Sequence, residues 1–137
     1  MPRFAILEHT GAPDDPAGHH YDLLLEDGPA CRTWRLAALP EPGGPAIEAE
    51  ELAAHRLAWL DHEAGPVSGG RGFARRIAAG TYEPPAAPAA AADSSVTLHG
   101  GHFGGRLEFG LRDGRWLARL IAPHPGGYHG PPPEEAR

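Results

Sequence analysis

The feature that most constrains this chain is the shortness of its apolar runs. Phe4-Ala5-Ile6-Leu7 and Tyr21–Leu25 are only a few residues long, and the mixed polar and apolar stretches Cys31–Leu36, Gly105–Leu111 and Arg115–Ile121 are as short and lie between turn formers. Runs this short, bounded by Gly, Pro and Asp, read as β-strands, because a helix needs more residues to bury a face. Two of the breaks, Asp27-Gly28 and Asp113-Gly114, are hairpin signals, the second being the clearer. The pattern predicts a mostly β fold, a small closed or partly closed antiparallel β-barrel with one or two short helical turns.

In chain order, Arg3–Glu8 is a first strand and Thr10–Gly18 an irregular loop rich in Pro, Gly and Asp. Strands follow at Tyr21–Glu26 and Cys31–Leu36, then a loop at Leu39–Pro45. Glu48–His55 carries Ala, Glu and Leu throughout and predicts a helical turn or two, with a strand at Leu57–Asp61. Gly65–Gly72 is a flexible glycine-rich loop. Phe73–Ile77 and Thr81–Glu83 read as two short strands on either side of Ala79-Gly80, and Val96–His99 as another. Pro84–Ser95 is a Pro/Ala-rich surface excursion. One barrel domain over 1–121 is expected, followed by a Pro/Gly-rich tail over 122–137 expected to be disordered.

Composition narrows the functional classes. The chain has 137 residues, one cysteine and a net charge of −6. Length allows one domain with a real core. A single cysteine excludes an intrachain disulfide and a cysteine zinc cluster. The acidic balance argues against coating nucleic acid by charge alone. All 12 cations are Arg, the side chain best suited to bidentate phosphate contacts. No signal-peptide pattern and no membrane-length apolar run is present, so a cytoplasmic location, no membrane partner and a monomeric state are expected.

The chemistry concentrates in Glu8–Asp27. His20 and Asp22 are two apart, so on a strand they share a face, while His19 points away. His9 ends the preceding strand and meets them if the two strands pair. Two imidazoles and a carboxylate on a sheet make a divalent-metal site with open positions.

The order of these motifs resembles the 3′-phosphoesterase module of bacterial DNA ligase D. The likeness rests on Phe4–Glu8 with His9, His20-Tyr21-Asp22 leading into Leu23–Glu26, Asp27-Gly28 and Thr33-Trp34. It continues through His55-Arg56-Leu57-Ala58-Trp59, Glu63–Gly72, Gly80-Thr81-Tyr82-Glu83, Gly105–Phe109 and Arg115-Trp116, thus from about Arg3 to Ile121. The resemblance implies a β-barrel enzyme with a bound divalent metal, typically manganese, with zinc the other option. It implies trimming of DNA 3′ ends that carry a phosphate or a terminal ribonucleotide. DNA 3′ ends are the implied partner, together with separate ligase or end-joining proteins. The family's metal ligands fall on His9, His20 and Asp22, and its phosphate-facing histidine on His55. Two positions depart from the family: its Arg two residues after the metal Asp is Leu24 here, and its active-site Tyr is Trp59. The first removes a phosphate-binding cation, the second a hydroxyl.

Phosphoester hydrolysis needs cations around the developing charge. Arg71, in a glycine-rich loop whose backbone N–H groups can face an anion, is the expected replacement for the cation lost at Leu24, with His55 as the second catalytic contact. Arg76 is a third candidate phosphate contact, although Arg75 and Arg76 as a pair fit a solvated face better. Trp34, Trp59 and Trp116 are expected in the core, Cys31 as strand packing, and His62, His99 and His102 on the surface. Two other classes share the motif. One is a degenerate homologue that binds DNA ends or a repair partner. The other is an iron oxygenase using His20, Asp22 and a distal His102, with Arg112 binding an oxoacid.

Overall fold

The computed structural model describes residues 1–84 and 93–122. Nine strands form among them: β1 Arg3–Thr10, β2 His19–Asp27, β3 Ala30–Leu36, β4 Ile47–Arg56, β5 Ala64–Pro66, β6 Phe73–Glu83, β7 Asp93–His99, β8 Gly105–Arg112 and β9 Arg115–Ile121. Eight of them close into an antiparallel barrel in the order β1-β2-β3-β4-β9-β8-β7-β6, with β6 returning to β1; short β5 adds alongside β6. Closure leaves no open edge for another chain to pair with along the ring. Two 3-10 turns, Leu57–Asp61 and Gly101–Phe103, complete the fold.

Both expected hairpins form, and glycine is needed at each. Asp27 pairs with Ala30 across Gly28-Pro29, with Gly28 at φ 63°. Arg112 pairs with Arg115 across Asp113 and Gly114, at φ 53° and 77°. Two positive φ values match the turn type whose twist suits a two-residue hairpin.

Alternation along the strands divides the barrel wall into two faces. Phe4, Ile6, Leu23, Leu25, Trp34, Leu36, Leu98, Leu107, Phe109 and Leu120 fill the interior, where Trp34 stacks on Phe109 at 4.3 Å between ring centroids. On the outside of β1–β3, Ala5, Leu7, Leu24 and Cys31 form a second buried cluster beneath Leu60, with Leu57 and Trp59 packed against it. The wall is therefore apolar on both sides where the first 3-10 turn covers it.

Several expectations are corrected. Glu48–His55 lies in β4, not in a helix: pairing with β3 and β9 on either side outweighs a helix propensity of a few tenths of a kcal/mol per residue. Leu57–Asp61 is a 3-10 turn, not a strand; Leu57 and Leu60, three apart, both face the outer cluster. Phe73–Glu83 is one strand, not two, and an irregularity opposite Ile6/Leu7 absorbs the mismatch with β1. Asp93–Ser95 belong to β7, paired with Gly110–Glu108, not to the Pro/Ala excursion; the rest of that excursion from 85, and the tail from 123, lie outside the described residues. Trp34 lies in the core, whereas Trp116 and Trp59 are only partly buried.

Candidate metal centre

The antiparallel register of β1 and β2 places His9 opposite His20 and Leu7 opposite Asp22. His9, His20 and Asp22 therefore converge on the outer face of the barrel, continuing the strip that holds Leu7 and Leu24. Ligand atoms of the three lie within 4.8 Å of one another. His9 Nδ1 is 3.7 Å from Asp22 Oδ2, and His20 Nε2 is 3.4 Å from Asp22 Oδ1. His20 and Asp22 are buried, and the His9 side chain is 13% exposed.

Hydrogen bonds fix which ring nitrogen of each histidine carries its lone pair. His9 Nε2 lies 2.8 Å from the Arg71 backbone carbonyl, which can only accept, so Nε2–H donates and Nδ1 faces Asp22. His20 Nδ1 donates to Asp15 Oδ2 at 2.8 Å, which leaves Nε2 to face Asp22. His20 Nε2 and Asp22 Oδ1 are buried and have no hydrogen-bond partner. Two orphaned acceptors aimed at each other are costly unless a cation lies between them. An imidazole whose other nitrogen donates to a carboxylate or carbonyl is the standard support for a metal ligand. The donor set fits a divalent ion.

The surrounding carboxylates favour positive charge at the same place, whether a proton or a metal ion supplies it. Burial lowers the His20 pKa, but the carboxylates of Asp22 and Asp15 more than offset this and raise it overall. The hydrogen bond from His20 and the backbone N–H of Ala17 hold the Asp15 carboxyl below its usual range despite some desolvation. Asp15 belongs to a folded loop, closed by Gly11 N–H to the Gly18 carbonyl and by Asp15 N–H to the Ala12 carbonyl. Sequence reasoning missed Asp15. The only available signal was a carboxylate pair in the loop before His19-His20, which does not say which of them would dock.

A cavity of about 670 Å³ opens beside the group, lined by His9, Asp22, Arg35, His55, Trp59 and Arg71 among others. Four expected site residues therefore meet in one place. His55 Nδ1 donates to the Ala53 carbonyl, which leaves Nε2 for another partner. The Arg71 guanidinium donates to the Ser68 carbonyl at 2.7 Å and to its hydroxyl at 3.2 Å, tying it to its own loop. The glycines serve a purpose other than the expected one. Arg71 N–H is bonded to the Val67 carbonyl, and a Cβ on Gly72 (φ 90°) would lie 2.1 Å from the Thr10 carbonyl oxygen. Glycine there lets the loop dock on the end of β1 and present the Arg71 carbonyl to His9.

Arg76 is not brought to the cavity; it donates to the Leu60 carbonyl and anchors the first 3-10 turn. Arg75 pairs with Glu8. Leu24 is fully buried in the outer cluster. His102 lies on the second 3-10 turn near Glu41, outside the His9–His20–Asp22 group. Arg35 was missed by sequence reasoning, since only the register that sets it opposite Asp22 reveals it. A second cavity, about 660 Å³ along β7–β9, has no histidine among its described lining residues. A scan of the chain against protein-family models gives no match, and a search of curated proteins gives none either.

Proposed function

We propose that the chain is a divalent-metal-dependent phosphoesterase that removes a 3′-phosphate or terminal ribonucleotide from DNA 3′ ends, in the manner of the phosphoesterase module it resembles. The observation that carries this reading is the pair of orphaned acceptors, His20 Nε2 and Asp22 Oδ1, beside His9 in a cavity lined by arginine and histidine. His9, His20 and Asp22 hold the ion, and imidazole ligands favour manganese or zinc over magnesium. A bound divalent ion supplies a Lewis acid for a phosphoryl oxygen and lowers the pKa of water.

The chain's own residues supply the rest. Asp15 and the Arg71 carbonyl keep both imidazoles in their ligating tautomers. His55 Nε2 is the ring atom left to hold a phosphoryl oxygen or to protonate a leaving group. Arg71 adds positive charge at the cavity wall. A cavity of about 670 Å³ matches a single nucleotide and not a duplex, which fits recognition of a strand end. Trp59 offers a wall for a base. Ligase or end-joining partners would act after it on the cleaned end.

One observation favours a second reading, a non-hydrolytic end binder. Leu24 is a buried apolar side chain where the resembled module carries a phosphate-binding Arg, and Trp59 stands where it carries a Tyr hydroxyl, which leaves less to act on a transition state. The deciding experiment is removal of a 3′-phosphate from a primer–template with manganese or zinc. Turnover by the wild type that disappears in His20→Ala supports the enzyme. Tight binding of the phosphorylated end without turnover favours the binder.

A further inference from the structure

Arg35 sits on β3 directly opposite Asp22 on β2, so both side chains leave the same outer face of the barrel. On its other flank the register sets it opposite Glu50 of β4. Its side chain is only 19% exposed. Nε is buried and has no hydrogen-bond partner. Nη2 makes one long contact, 3.3 Å, to Oδ2 of Asp14, whose side chain is 72% exposed. A guanidinium has five donors in a planar fork. Here the edge carrying Nε is desolvated and idle, and the partner it has is loosely held. Arg35 also lines the cavity beside His9, Asp22, His55 and Arg71.

We infer that Arg35 is the oxyanion-binding cation of this cavity, and that Asp14 is a displaceable internal competitor for it. This rests on the proposed phosphoester chemistry for the ligand's class: a tetrahedral oxyanion, phosphate or a phosphate monoester. A carboxylate bound to a guanidinium occupies the donors that a phosphate would take. Asp14 is positioned to give way. It neighbours Asp15, whose carboxylate stays on His20, so the loop need not unfold for Asp14 to turn outward into solvent. Adjacent residues of one loop thus serve the two halves of the site, Asp15 steadying a metal ligand and Asp14 guarding the anion position. An incoming phosphate takes the Nη–H groups that Asp14 gives up, while its other oxygens face the metal side. The fork geometry matters as well as the charge, because lysine offers a point charge and cannot bind two oxygens side by side.

The test is calorimetric titration of the manganese-loaded full chain with inorganic phosphate, with metal content and melting temperature measured for every variant. Arg35→Gln should weaken phosphate by roughly 10- to 100-fold, the worth of a charge-assisted contact. Arg35→Lys should recover only part of that loss. Asp14→Asn should tighten phosphate by about 2- to 5-fold, the worth of an exposed ion pair. Wild-type affinity in Arg35→Gln, or unchanged or weaker affinity in Asp14→Asn, overturns the inference, as does failure of both wild type and Asp14→Asn to bind phosphate. Should Arg35→Gln lose its metal or its fold, the exposed Asp14 variant decides alone. Phosphate binding as expected but no turnover of a 3′-phosphorylated primer would remove the proposed activity and leave the anion site standing. Turnover unaffected by Arg35→Gln would do the reverse.

Discussion

The two faces of the β1–β2 hairpin are both buried, yet for different reasons. Phe4, Ile6, Leu23 and Leu25 point into the barrel and are covered by strands on the opposite wall. Ala5, Leu7 and Leu24 point outward and pack against the five-residue turn Leu57–Asp61. Beyond that cover the outer face turns from apolar to polar, with His9, His20 and Asp22, a group that could hold a metal ion. The inner face is held by the closure of the sheet, the outer face by loops that dock on it. A site built on rigid strands and finished by loops gains precise ligand placement and keeps an open cavity.

This contrast can be broken by mutation. Trp34→Ala should have the largest effect, about 3–5 kcal/mol of stability, because it empties the centre of the barrel and removes the stack on Phe109. Its metal affinity per folded molecule should stay near the wild-type value. Leu60→Ala should cost less, roughly 2–4 kcal/mol, but should also weaken metal binding, since the turn anchored by Arg76 flanks the site. Chemical denaturation paired with metal titration separates the two. Equal loss of metal affinity in both variants would show that the faces are not independent.

Asp15→Ala should reduce metal affinity by about 10- to 100-fold, the usual effect of removing a carboxylate behind a ligating imidazole. Its fold should persist, because the loop's backbone bonds remain. Competition against a chelator measures this.

A pH experiment addresses the same residues in the metal-free protein. The folded pKa of His20 is raised above its ordinary 6.5. A raised pKa stabilises the fold fully below 6.5, and that stabilisation disappears as pH climbs through the folded value. Melting temperature measured with chelator should therefore fall between pH 6 and pH 8 more in wild type than in His20→Gln. The proton also competes with metal at Nε2, so metal affinity should weaken as the pH falls through the raised His20 value. Identical pH profiles for wild type and His20→Gln would contradict the coupling. The smallest effect expected is from Arg75→Ala, under about 1 kcal/mol, since the Arg75 side chain in its pair with Glu8 is 58% exposed.

The candidate metal ligands could be read from the sequence because each depends on a local rule. His-x-Asp shares a face on any strand, and the preceding strand brings His9 if the two strands pair. The cavity's other residues follow no such rule. Arg35 looks like any strand arginine until β3 pairs with β2, and Asp14 and Asp15 are indistinguishable until their loop folds. Arg76 illustrates the opposite error: its neighbours in sequence suggested a phosphate contact, while its guanidinium holds the Leu60 carbonyl.

By itself the sequence determined β1, β2, β3, β8 and β9, both hairpins and the grouping of His9, His20 and Asp22. Those follow from a two-residue side-chain period and from glycine's access to positive φ, properties of adjacent residues. Only the tertiary structure decided that Glu48–His55 is a barrel strand, that Leu57–Asp61 caps the outer face, and that Arg35 and Asp15 belong to the site. Each of these depends on partners far along the chain, and a strand pairing or a docked loop overrides local preferences worth only tenths of a kcal/mol per residue.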